Sequence, residues 1–126
     1  MQKREPVRYL ENAKEILNKS QIEDSIYIDE KYVRSACGTA YLAVLKAIDE
    51  YLLNKGLNRR ELPKKVEEYT KALQKYAGQY NGKLIRQFDR IYDELHIAGY
   101  YRGLLKGVGT VKDAMKAARD FIEKLK

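Results

Sequence analysis

The sequence predicts an all-α fold, an up-and-down bundle of four long helices plus a shorter additional one, about five in all. Three observations predict it. Apolar residues recur three and four positions apart through each long segment. Pro6 and Pro63 are the only prolines, and both stand where a helix can begin. No alternating run is long enough for a sheet, since the nearest, Ser25-Ile26-Tyr27-Ile28, is too short to stand alone. With 126 residues, 44% apolar and 34% charged, the chain can fill one core and still cover it. A single domain over 1–126 is expected.

Pro6 opens the first helix, in which Val7, Leu10, Ala13, Ile16 and Leu17 share a face as far as about Ser20. Residues 20–28 lack a sustained period and read as a connector that Ile22, Ile26 and Ile28 tack to the bundle. Asp29 is a suitable N-cap for a long central helix, with Val33, Cys37, Ala40, Tyr41, Val44, Ile48 and Leu52 in register up to Gly56. Its stretch from Ser35 to Ala40 is nearly all small, which lets another helix backbone approach closely. That approach has to offset the roughly 1 kcal/mol that Gly38 costs inside a helix.

The basic turn Asn58-Arg59-Arg60-Glu61-Leu62 leads to Pro63 and a third helix striped by Val66, Tyr69, Leu73, Tyr76 and Tyr80. Asn81-Gly82 signals a turn, after which Leu84, Phe88, Ile91, Leu95 and Ala98 define a fourth helix from about Lys83 to about Tyr101. Gly103, Gly107 and Gly109 interrupt the pattern until Thr110, which with Asp113 three residues on matches a capping box. The last helix then carries Val111, Ala114, Met115, Ala118, Phe121, Ile122 and Leu125.

Composition narrows the function classes. The net charge of +7 is uneven, with ten basic and four acidic residues between positions 55 and 90. Such a surface attracts phosphate backbones, and the residues expected to present it are Arg59, Arg60, Lys64, Lys65, Arg86 and Arg90. The longest charge-free stretch, Ser35 to Leu45, is far short of the roughly 20 apolar residues that cross a bilayer, and no apolar segment follows the basic N-terminus. A cytoplasmic protein without membrane contact is expected. Cys37 is the only cysteine and is read as a packing residue. With a single histidine there is no zinc spacing, and the fourth helix lacks the paired Glu-x-x-His motifs of di-iron bundles, so neither metal nor cofactor is expected. The loop Gly103 to Thr110, with Lys106 and Lys112 nearby, lacks the Gly-Lys-Ser/Thr tripeptide of a phosphate loop and is read as a connector.

His96 is the one titratable group placed for chemistry. On a helical wheel centred on Phe88 it lies about 80° from the middle of the apolar stripe, on the flank that carries Asp89, Asp93 and Tyr100. Asp93 and His96 are spaced i, i+3, so the carboxylate can hold the imidazole in one tautomer, either as a boundary histidine or as part of a site. Tyr100 and Tyr101 follow, placed to pack at the rim, cover a dimer interface or stack on a base.

The run Arg90-Ile91-Tyr92-Asp93-Glu94-Leu95-His96, an arginine and a histidine separated by five residues, resembles the signature of the HEPN superfamily of helical bundles. Ser35 to Ala43 resembles the small-residue second helix of those proteins, and Ala114 to Leu125 their closing helix. Ile91 departs from the small polar residue that commonly follows the arginine. Active members of that family are metal-independent ribonucleases in which histidine and arginine of two protomers face each other across a dimer interface. The resemblance implies His96 as acid/base or positioning group at the ribose 2′-hydroxyl and Arg90 as the stabiliser of phosphorane-like charge, with Asp93 and Tyr100 in support. It also implies a homodimer. Many relatives have lost catalysis and act as binding partners, and the expectation here is a non-catalytic interaction module for a protein or nucleic-acid partner, with the ribonuclease as the alternative.

Overall fold

A computed structural model describes residues 4–78 and 82–125. Five helices form the bundle among these residues. α1 (Glu5–Leu17) starts with Pro6 in its first turn and Glu5 at the positive end of the helix dipole, and it buries Pro6, Leu10, Ala13 and Leu17 along one face. α2 (Glu30–Asn54) begins as expected: the Lys31 N–H donates to Asp29 Oδ1 at 3.3 Å. It packs against α1, the C-terminal half of the fourth helix and α5, and its buried residues span about half of its circumference, a wide face for a central helix.

The connector between them is ordered differently from the expectation. β1 (Ile22–Glu23) and β2 (Ile26–Tyr27) pair antiparallel, and Asp24 and Ser25, with φ of 50° and 62°, make a tight turn of the mirror-image kind that suits the twist of two strands. Strand alternation sends Tyr27 inward and Ile26 and Ile28 outward, and Ile22, paired with Tyr27, is exposed too, so the anchor is the tyrosine and not the three isoleucines.

After α2, a single 3₁₀ turn (Arg59–Glu61) closes a reciprocal capping box between Asn58 and Glu61. α3 (Val66–Tyr76) leans on α2 through two tyrosine hydroxyls: Tyr69 donates to Asp49 Oδ1 at 3.0 Å, and Tyr51 of α2 donates to the Tyr76 carbonyl at 3.1 Å. Tyr80 and Asn81, expected at the end of this helix and in the following turn, lie outside the described residues. Gly82, with φ of 76°, precedes α4 (Lys83–Ile91).

The fourth helix does not stay α-helical. From Tyr92 to Tyr101 it winds as a π-helix, called the π segment below, with the Arg102 N–H reaching the Ile97 carbonyl at 2.8 Å. The wider turn completes the apolar stripe with Gly99, fully buried, where the α-helical repeat had pointed to Ala98, half-buried.

α5 (Val108–Lys124) starts earlier than the expected Thr110, and the Thr110–Asp113 capping box does not form. The Val108 N–H is taken by the Ser25 carbonyl at 2.9 Å and Gly107 bridges to Ile26, so the hairpin itself sets the start of the helix. Phe88 of α4 and Phe121 of α5 meet at the centre of the core with ring centroids 6.2 Å apart. None of the described helices is long and apolar enough to cross a membrane.

Candidate functional site

Two glycines allow the π segment to sit close on α2. A Cβ on Gly99 would lie 2.6 Å from Cys37 Sγ, and one on Gly38 would lie 2.7 Å from Tyr100 Cδ1. Small residues at the crossing let the backbones approach, as the Ser35–Ala40 stretch had suggested. The far end of the π segment is held by Arg34, whose Nε donates to the Tyr100 carbonyl at 2.9 Å and whose Nη2 donates to the Tyr101 carbonyl at 2.6 Å. Arg34 therefore satisfies carbonyls that the end of a helix leaves without partners. Gly103, with φ of 63°, turns the chain away, and the Leu104 N–H reaches back to the Ala98 carbonyl at 2.8 Å.

The crossing assembles a ladder of rings. His96 stacks on Tyr41 of α2 at 4.8 Å between centroids, and on Tyr100 at 6.0 Å with only 14° between the planes. Tyr92 closes the other side at 5.3 Å. A groove of about 520 Å³ opens beside it, lined by Tyr41, His96 and Tyr100 together with Ile16, Leu42 and Leu45. Burial, with a smaller contribution from Tyr92, pushes the Tyr41 hydroxyl up to about 12. Burial likewise raises the Cys37 thiol to about 12, so it stays protonated and unreactive at neutral pH, in keeping with a packing role.

Of the residues singled out from sequence, the structure brings His96 and Tyr100 together and leaves Arg90 and Asp93 apart from them. Arg90 is exposed, ion-paired with Glu94 at 2.7 Å, and borders a different cleft with Gln87, Ile91 and Asp120. Asp93 is exposed, and among the described residues it makes no hydrogen bond to His96. The physical reason is the winding: a π turn holds more residues than an α turn, so i, i+3 partners cease to be neighbours while the i, i+4 rings Tyr92, His96 and Tyr100 stack. The basic residues Arg59, Arg60, Lys64, Lys65, Arg86 and Arg90 are all exposed, the first two on the 3₁₀ turn and the last two one turn apart on α4. Among the described residues, no group of three or more His, Cys, Asp or Glu side chains is placed to hold a metal ion.

Sequence reasoning passed over Arg34, Tyr41 and Gly99. Tyr41 was visible only as a core position, and Arg34 has no local signal, because its partners are backbone carbonyls 66 and 67 residues away. Gly99 did carry one, a glycine within a strong helical pattern, which asks for a close packing partner.

The family model described as Domain of unknown function (DUF5618) matches residues 1–126. Comparison with curated proteins finds no match. Among solved structures, a protein of unknown function from Dyadobacter fermentans is 36% identical, with a TM-score of 0.78 over 96% of this chain and 90% of that one.

Proposed function

The chain belongs to the family of the domain of unknown function DUF5618, and from its own surface we propose that it is a non-enzymatic interaction module, a cytoplasmic homodimer that docks through the face built by the hairpin, α2 and the end of the π segment. One observation carries the proposal. The large apolar side chains left exposed among the described residues are Ile22, Ile26, Ile28, Leu42, Tyr100, Tyr101 and Leu104, and every one comes from those three elements or the residues just beyond them. The Arg34 fork ties α2 to the end of the π segment, and the bridge from Ile26 to Gly107 ties the hairpin to the loop that follows that segment. Exposed apolar groups concentrated in this way mark an interaction surface more often than a solvated one. A second copy is the occupant that fits, since a self-complementary patch needs no partner of opposite character.

The likeness to HEPN bundles is part of the proposal, supported by the small-residue second helix and by the five residues between Arg90 and His96. The ion pair that holds Arg90 to Glu94 favours a member without catalysis. The exposed arginines and lysines on the 3₁₀ turn, the loop after it and α4 would then be available to a nucleic-acid partner.

Light scattering on a size-exclusion column tests the dimer. The expected result is twice the monomer mass for the native chain and the monomer mass for the double variant Leu42→Glu/Tyr101→Glu, with unchanged helical circular dichroism. A strict monomer at high concentration would refute it. Incubation with RNA in EDTA separates the enzyme from the module: cleavage to 2′,3′-cyclic phosphate ends that disappears in His96→Ala would replace this reading with the ribonuclease.

A further inference from the structure

On the other side of α1 from the apolar groove, a second concavity of about 260 Å³ lies between α1 and α5. Lys14, Lys112, Lys116 and Arg119 ring it, and Leu17 and Met115, both nearly inaccessible, lie beneath. We propose that this cleft binds a small organic phosphate, with the cations on the phosphate group and the body of the ligand against the apolar part of the cleft wall. It shares no lining residue with the apolar groove and is independent of the dimer.

No carboxylate lines the cleft, and among the described residues Lys14, Lys112 and Lys116 form no ion pair. Arg119 reaches only its chain neighbour Asp120, at 3.8 Å. Lys112, Lys116 and Arg119 stand at i, i+4 and i+7, one face of α5, where like charges repel and cost helix stability. Lys112 also follows a first turn that contains no acidic residue, so the positive end of the helix dipole adds to its charge instead of opposing it. Across the cleft, Lys14 and Asn18 are one turn apart on α1 and contribute an ammonium and an amide. Four cations, three of them without an ion pair among the described residues, focus a positive potential into a concave space.

The size and lining of the cleft select the ligand. Pockets for drug-sized molecules run from about 300 Å³ upward, so this one takes a compact molecule and no folded peptide element. A bare anion would leave the apolar part of the cleft wall uncovered, whereas a phosphate carried by a planar or aliphatic body uses both parts. The Arg119 fork matches two phosphate oxygens, and the lysines supply point charges around them.

The test follows backbone amide chemical shifts while adenosine 5′-monophosphate, inorganic pyrophosphate or a short single-stranded RNA is added to the native chain. Shifts confined to the end of α1 and the Lys112–Arg119 face are expected, with the monophosphate binding more tightly than pyrophosphate. Lys112→Gln/Lys116→Gln should weaken binding about tenfold for each lysine removed, without lowering the thermal midpoint. If only the RNA shifts these residues, the phosphate is recognised within a strand, and the logarithmic salt slope should fall by about one per lysine removed. Shifts that are absent with all three probes, or unchanged in the double variant, would overturn the proposal.

Discussion

Gly99 is the residue at which the sequence has the least freedom. It faces Cys37 Sγ at a distance where no side chain fits, and the Glu94 carbonyl lies 3.1 Å from where a Cβ would stand. Neither neighbour can yield easily, since Cys37 is fully buried and the carbonyl is backbone. Gly99→Ala should therefore destabilise the fold by about 1–3 kcal/mol through overpacking, more than alanine's better helix propensity returns. Gly38→Ala should cost clearly less, because the obstacle there is the Tyr100 ring, which is half-exposed and can swing away. Urea unfolding of the two variants measures the difference, and equal losses would contradict the argument. Part of this was legible in the sequence. The small stretch around Cys37 and Gly38 announced a close helix crossing, but which helix crossed there, and at which glycine, depended on partners more than 60 residues away.

At the scale of the element, the π segment is held open at its end by one side chain. Arg34 presents two parallel N–H groups to two successive carbonyls, a geometry that a lysine cannot copy. Arg34→Lys should cost about 1 kcal/mol, at the low end of the range for charged hydrogen bonds because the guanidinium is partly exposed. The diagnostic effect is local. Amides from Ile97 to Leu104 should exchange faster while those of α3 and α5 are unchanged, and a uniform change would point to global destabilisation instead. The α-helical elements were readable from spacing, caps and prolines, because those signals are local. The π winding was not, because it resolves a packing conflict between helices, and neither was the hairpin, whose Asp24-Ser25 turn lacks the Asn-Gly or Asp-Gly signature. Missing the hairpin assigned the anchoring role to three isoleucines that in fact face outward.

Across the whole molecule, the buried ionisable groups give the bundle a pH limit on the alkaline side. Cys37 is raised from 9.0 to about 12 and Tyr41 from 10.0 to about 12, while Tyr69 moves the same way through burial and the neighbouring Asp49 carboxylate. Each of these groups ionises more readily in the unfolded chain than in the folded one. Their contribution is complete below the unfolded values and is lost as pH rises from 9.0 towards about 12. Thermal midpoints should hold steady up to about pH 9 and fall steeply above it, and Cys37→Ala should blunt the first part of the fall. A midpoint that keeps rising through this window would show that these groups are more hydrated than their surroundings suggest. The distribution of apolar exposure is also a whole-molecule property. The helical wheel places Leu42 opposite the buried face of α2, but which exposed apolar residues lie beside it depends on how the elements pack.

A π-helix of ten residues also makes the site depend on counting. Within Tyr92–Tyr101 the rings meet because of how many residues separate them, so the ladder is sensitive to insertion or deletion in a way it is not to most substitutions. An inserted or deleted residue would change the number of residues per turn and with it the direction in which the residues after it face. Tyr100 would leave Gly38, and the carbonyls held by Arg34 would swing off their donor, even though every side chain that makes the site was still present. In this stretch the reading frame of the helix carries as much of the architecture as the identity of the residues.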